Sequence, residues 1–304
     1  MAKLTIGMFG YNEERYIGKT IESVLKQSFQ DFRLYISDNC STDRTYAIAC
    51  EYASKDPRIE VYRQPENVGA PKSSEFVLRK ADTPCFMWLA AHDILLEHYL
   101  THAVELLETT PECVLAYPKS YLIDQKNVIL KSLYDDIDTQ NLSLRNKLCK
   151  VAQNLYCCFS THGVFRTDIL KRLPFESMIG SDFLILFAAA TYGDIYLLDS
   201  YGLKMRKVRE ESAEEAEKRW QETGIYSEYP GLSPYALTIL RHLEYIRQCK
   251  RFTFQDKAIL FYRIYHIFLN RWGIKWYTLL RQKISLLNTL YVIMRPYAHF
   301  RSER

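Results

Sequence analysis

The 304-residue sequence predicts an α/β fold, a mostly parallel sheet flanked by helices, followed by a C-terminal helical appendage. Two observations carry that expectation. Apolar, β-branched runs alternate with amphipathic helical stretches through the first hundred residues, the pattern of parallel strands joined by crossover helices. From about Pro234 the strand pattern stops, and the chain reads as helix rich in aromatics and arginine.

The elements follow in order. "LTIGMFGYN" is an apolar run ending in Gly-Tyr-Asn, and "EERYIGKTIESVLKQSF" after it places Ile17, Ile21, Val24 and Leu25 at helical spacing. "FRLYISDN" turns Phe32, Leu34 and Ile36 to one face and ends in a polar cluster; "STDRTYAIACEYASK" then starts like a capped helix. "IEVYRQ" gives a third strand, "APKSSEFVLRKA" a helix, and "CFMWLAAHD" a buried strand whose carboxyl end presents His92 and Asp93. Residues 97–109 read as helix and 112–123 as strand, "DDIDTQNLS" as a polar loop before a helix ending near Asn154. A further helix starts near Gly180-Ser181-Asp182, and "DIYLLD" closes the pattern as a strand. In such a sheet ligands bind outside the carboxyl ends of the strands.

Composition narrows the class. Hydrophobic residues make up 48% and charged residues 25%, which suits a packed globular chain and excludes the disordered class. The eight cysteines show no CxxC pair and no zinc-finger spacing, so a reducing compartment fits. The first residues do not read as a secretory signal. The longest charge-free apolar stretches, "FLILFAAATYG" and "ISLLNTLYVIM", are about half the roughly 20 residues of a membrane span. Residues 241–304 carry 13 Lys/Arg against 3 Asp/Glu, within a net charge of +4. Their aromatics suit either a membrane-surface anchor or a cap packed on the core with arginines reaching outward.

Sugar transfer from a nucleoside diphosphate needs a grip on the nucleoside, a cation on the diphosphate and a base for the acceptor hydroxyl. Asp38 after the second strand can accept from base or ribose, and Tyr11 after the first can stack on the ring. Turn and capping chemistry accounts for "SDNCSTD" equally well.

"GYNEERYIGKTIESVLKQSFQDFRLYISDNCSTDRT", then "NVG", a hydrophobic strand ending in Asp93, "HGVFRTDIL" and "SDFLILFAAATYG" together resemble the family-2 glycosyltransferases of GT-A fold. The likeness covers roughly residues 3–200 in order. It implies an inverting transferase with a nucleotide-sugar-binding part over 1–110, an acceptor and catalytic part over 111–232, and an appendage over 233–304. Tyr11 and Asp38 are then nucleoside contacts, and Gly10, Asn12, Glu13 and Asn39 shape the loop around them. Asn67 and Gly69 match the phosphate-side turn before the helix that carries Lys72. Asp93 matches the last carboxylate of the family's metal motif, for Mn²⁺ or Mg²⁺, and Asp182 the carboxylate that serves as catalytic base.

The sequence departs from the family pattern twice. Ala90-Ala91-His92-Asp93 keeps one carboxylate of the metal motif, with His92 either a ligand or a pocket filler. Ser181 replaces the glutamate that precedes the base. The helix dipole at the head of its helix predicts a low pKa for Asp182. His162 is a candidate acceptor-side or metal-side group, beside its reading as a structural histidine. "EKRW" around Arg219 and Trp220 lacks the glutamine of processive synthases, since Ala216 stands there, which excludes processive synthesis.

The expected partners are a UDP-sugar donor, a glycan or lipid-linked acceptor and a membrane surface, with surface polysaccharide assembly at the cytoplasmic face as the setting. A nucleotide-sugar-binding or scaffold module without transfer is the alternative. A nucleotidyltransferase would want a glycine-rich phosphate loop that "GMFGYNEE" lacks, and the aromatic, Leu/Ile-interleaved tail argues against nucleic acid.

Overall fold

Strand β1 (Leu4–Gly10) is apolar on both faces and lies at the centre of the parallel half of the sheet, between β2 (Phe32–Asp38) and β4 (Cys85–Ala90). β3 (Ile59–Arg63) flanks β2 in parallel register, Asp38 opposite Arg63. The computed structural model describes residues 2–155, 158–175, 180–207 and 234–271, with Glu215 and Lys218. Cys157, Ala216, Arg219, Trp220 and residues 272–304 lie outside the described residues.

The nine-stranded sheet runs β3-β2-β1-β4-β8-β6-β9-β5, with β7 paired to β6. β6 (Cys113–Ile123) and β9 (Asp194–Arg206) are parallel to each other. β8 (Val164–Arg166) is antiparallel to both β4 and β6, so these long strands all run one way. β5 (Ile94–Leu95) pairs antiparallel with β9, and β7 (Ile129–Leu133) with β6.

Alternation along the strands divides the core. Leu4, Ile6, Met8, Leu34, Ile36, Met87 and Leu89 join one cluster with α1 (Ile17–Leu25), α2 (Thr45–Ala53) and α4 (Tyr99–Thr109). Tyr35, Phe86 and Trp88 face the other way, against α3 (Ala70–Lys80), α5 (Leu144–Asn154) and α7 (Ser181–Ala189). Helices on both faces are what side chains of period two on fully buried strands demand. The short helix α6 (Thr167–Leu170) follows β8 directly.

The C-terminal helices complete this second cluster. Ala236, Ile239, Leu243 and Ile246 of α8 (Pro234–Gln248) and Leu260, Ile264 and Phe268 of α9 (Phe254–Arg271) are buried in it. At roughly 2 kcal/mol for each large apolar side chain removed from water, these helices are part of the core over 234–271. His242 of α8 is bound through Nδ1 to Thr238 O at 2.7 Å and lies edge-on to Phe187 and Phe268. Burial pushes its pKa down to about 4.

One expectation is corrected here, and three strands were not anticipated. The last strand continues seven residues past the predicted "DIYLLD", to Arg206, because register shifts against β6 absorb its irregular middle. The antiparallel strands β5 and β8 carry no periodic signal of their own and exist through pairing with distant partners, whereas β7 forms a hairpin with the end of β6.

Candidate active site

The loops after β1 and β2 are tied together by side chains. Asn12 adopts a left-handed conformation, φ 57°; its N–H donates to Ser41 Oγ at 3.0 Å and its Oδ1 accepts from Thr42 N at 2.9 Å. Left-handed backbone suits asparagine better than most non-glycine residues. Glu13 N donates to Thr45 Oγ1 at 2.7 Å. Gly10 closes β1 opposite Asp38 and its carbonyl accepts from Asn39 N at 2.9 Å. Tyr11 stands beside them, half-buried.

Asn39 knits in a third loop. Its Nδ2 donates to Asn67 Oδ1 at 2.7 Å and its Oδ1 accepts from Val68 N at 3.0 Å. Asn67 Oδ1 also accepts from Gly69 N at 3.0 Å. Gly69 has φ 81° and ψ 159°, a region open essentially to glycine alone. Lys72 is exposed in the first turn of α3.

Asp38 ends β2 with its side chain wholly buried. Oδ2 accepts from Ser41 N at 3.2 Å and lies 3.5 Å from Arg63 Nε. Oδ1 is buried and has no hydrogen-bond partner among the described residues. An unmet buried acceptor costs roughly 1–3 kcal/mol, more when charged, and an incoming N–H or O–H donor would relieve it.

Asp93 follows β4, its carboxylate buried, and Oδ1 accepts from Arg206 N at 2.8 Å. Burial raises its pKa above the ordinary carboxylate value, outweighing the opposing charges of His92, His162 and Arg206. His92 Nδ1 is 2.8 Å from Glu13 Oε1, and its Nε2 is 4.0 Å from Asp93 Oδ1. For His92, burial would lower the pKa, but the Glu13 hydrogen bond and the neighbouring carboxylates outweigh it and hold the value up.

Asp182 lies in the first turn of α7. Its pKa is raised by desolvation, against a smaller opposing effect of His162. This corrects the low value expected from the helix dipole, which acts on a charge but does not replace lost hydration. The residue is nevertheless exposed by surface area. Both hold where water reaches the carboxylate while protein mass around it displaces bulk solvent. Exposed area governs its access to a substrate, and the surroundings give the direction of the shift.

His162 ends the 3-10 turn Phe159–His162, and Nδ1 is 3.2 Å from Trp88 O. A carbonyl accepts only, so Nδ1 carries the proton. The ring lowers the pKa of both Asp93 and Asp182, against the larger effect of their burial.

Sequence reasoning missed two arginines. Arg63 meets Asp38 through strand register. Arg206 donates from Nε to His92 O at 2.9 Å, from Nη1 to Asp124 O at 2.8 Å and from Nη2 to Asn127 Oδ1 at 2.6 Å, and lies 4.5 Å from the Tyr16 ring centroid. Its signal would have been a longer last strand.

A doubly wound sheet with carboxylates at the ends of β2 and β4 and another at the head of α7 is the arrangement of the nucleotide-sugar transferase class of GT-A fold. The chain belongs to glycosyl transferase family 2, whose model matches residues 5–173. A teichoic acid poly(glycerol phosphate) polymerase of Staphylococcus epidermidis is 35% identical over 111 residues, 36% of this chain and 15% of that protein. The poly(ribitol-phosphate) beta-N-acetylglucosaminyltransferase TarS of Staphylococcus aureus is 25% identical over 178 residues, 56% of this chain and 29% of that protein. The matched stretches thus span well under half the length of either relative. The structure of S. aureus TarS 1-349 in complex with UDP-GlcNAc superposes with TM-score 0.68 at 19% identity, over 96% of this chain and 81% of that one; at that identity the likeness is one of fold.

Proposed function

We propose that this chain transfers a sugar from a nucleoside diphosphate sugar, UDP-sugar foremost, to a hydroxyl of a glycan or lipid-linked acceptor, with inversion at the anomeric carbon. The observation that carries the reading is the family match over residues 5–173, with Asp38 ending β2, Asp93 following β4 and Asp182 heading α7. Asp38 Oδ1, buried without a partner among the described residues, accepts a nucleoside N–H or O–H, with Tyr11 against the ring. The Asn67 to Gly69 turn and Lys72 serve the phosphate side.

Asp93 and His92 offer one oxygen and one nitrogen donor, a set that suits Mn²⁺, which accepts an imidazole nitrogen beside its oxygen ligands, better than Mg²⁺. Bound there, such a cation neutralises charge on the departing nucleoside diphosphate. Asp182 takes the proton of the acceptor hydroxyl as its oxygen bonds to the anomeric carbon and the bond to the diphosphate oxygen breaks. A carboxyl whose pKa is raised is the stronger base for that step.

The named activities of the relatives, teichoic acid polymerisation and N-acetylglucosamine transfer to poly(ribitol phosphate), support a role in surface polymer synthesis, with the acceptor presented at the cytoplasmic membrane face. No helix of the described residues is long and apolar enough to cross a membrane. Membrane contact in this reading belongs to the basic, aromatic residues 272–304, whose removal is expected to abolish liposome co-sedimentation.

Asp182→Asn tests the assignment. With a nucleotide-sugar panel, Mn²⁺ and Mg²⁺ in parallel, and polyol phosphate or lipid-linked acceptors, the native chain releases nucleoside diphosphate and the variant loses at least a hundredfold in rate. Turnover near the native value would remove Asp182 as base. Donor binding without turnover of the native chain by any cation would favour a binding module, consistent with the thinned metal motif.

A further inference from the structure

Glu13 was expected to shape the nucleoside loop, and the structure gives its carboxylate another partner. Its backbone is fixed on both sides, N–H to Thr45 Oγ1 at 2.7 Å and carbonyl to Tyr16 N and Ile17 N at 2.9 Å each. From the head of α1 the side chain reaches across to the turn after β4, where Oε1 lies 2.8 Å from His92 Nδ1. That turn is held from the other side by Arg206 Nε on the His92 carbonyl, at 2.9 Å.

An ionised carboxylate only accepts, so His92 Nδ1 carries the shared proton and the lone pair of the neutral ring sits on Nε2. Nε2 has no hydrogen-bond partner among the described residues and lies 4.0 Å from Asp93 Oδ1. Two donors on a cation with bonds of about 2.1 Å stand about 3.0 Å apart at right angles and about 4.2 Å when opposed, so the observed spacing lies within coordination range. A carboxylate behind an imidazole that faces a metal-binding carboxylate is the arrangement that fixes tautomer and ring orientation in histidine metal sites.

We infer that His92 Nε2 is a direct ligand of the divalent cation beside Asp93, and that Glu13 is the positioning residue that aims it. The imidazole takes the place of a missing carboxylate, turning an all-oxygen site into a mixed one that prefers Mn²⁺ to Mg²⁺. This rests on the cation reading above.

The test is Mn²⁺ binding by the full chain with UDP, read by equilibrium dialysis and by pulsed electron paramagnetic resonance of the bound ion. The expected result is protein-bound Mn²⁺ with the nitrogen coupling of a ligated imidazole. In His92→Asp the coupling disappears, Mn²⁺ still binds, and Mg²⁺ competes better. In Glu13→Gln, with an unchanged melting temperature, Mn²⁺ affinity falls by about 10- to 100-fold. Bound Mn²⁺ without nitrogen coupling, or coupling that persists in His92→Asp, overturns the inference and leaves the cation reading standing. If neither the native chain nor its UDP complex binds Mn²⁺, the cation reading falls, and the inference with it.

Discussion

The main-chain N–H of Arg206 donates to Oδ1 of Asp93 at 2.8 Å, across 113 positions of sequence. The last residue of β9 therefore fixes the carboxylate at the end of β4, and its guanidinium anchors the turns on either side. In Arg206→Lys one ammonium cannot reach all these acceptors, and the stack on Tyr16 is lost. The expected cost is roughly 2–3 kcal/mol in denaturant unfolding, with a larger proportional rise in the metal concentration needed for half-maximal turnover.

Gly180 precedes Asp182 with φ 81°, and a β-carbon on it would sit 2.5 Å from Thr238 Oγ1 of α8. Gly180→Ala meets both backbone strain and that hydroxyl, so it should lose roughly 1–3 kcal/mol and lower kcat through displacement of Asp182. Thr238→Ala on that background relieves the contact but not the backbone, restoring kcat in part. Full restoration would show that the backbone conformation is immaterial.

His242 gives the fold an acid-sensitive point. Its folded pKa, about 4, lies below the ordinary 6.5, so between those values the unfolded chain binds more protons than the folded one. Stability from this group is present above about pH 6.5 and is lost as pH falls toward 4, by roughly 3 kcal/mol in all. His242→Gln should flatten the fall in melting temperature between pH 7 and 5, whatever its effect at neutral pH.

The pH dependence of kcat/KM reports the base. Because desolvation raises Asp182, activity should rise through an apparent pKa above the ordinary carboxylate value, with the acid form inactive. Asp182→Glu, if active, should keep an acid limb displaced from the native one. A limb at or below 3.8 would contradict the desolvated environment.

The four parallel strands and their helices were legible because each is a continuous apolar run or an amphipathic repeat, and Asp38, Asp93 and Asp182 sit where such runs end. Ile94–Leu95 and Val164–Arg166 are too short for periodicity, and their pairing is decided by partners tens of residues away. The contacts of Glu13 with His92, Arg63 with Asp38 and Arg206 with Asp93 arise from loop reach and strand register. Linear spacing does not encode them. Asp182 was placed correctly at a helix head, and its pKa was misjudged because surrounding protein mass is a property of the folded cleft.

The central claim is transfer with inversion, and the anomeric configuration of the first product tests it most directly. An α-linked, gluco-configured nucleoside diphosphate sugar that supports turnover is incubated with the chain, Mn²⁺ and the acceptor that takes it, and the new anomeric proton is followed by NMR as it forms. The account predicts a β-linked product, with the large coupling of a diaxial proton pair, and its absence in Asp182→Asn. An α-linked product would contradict single displacement by a base-activated hydroxyl.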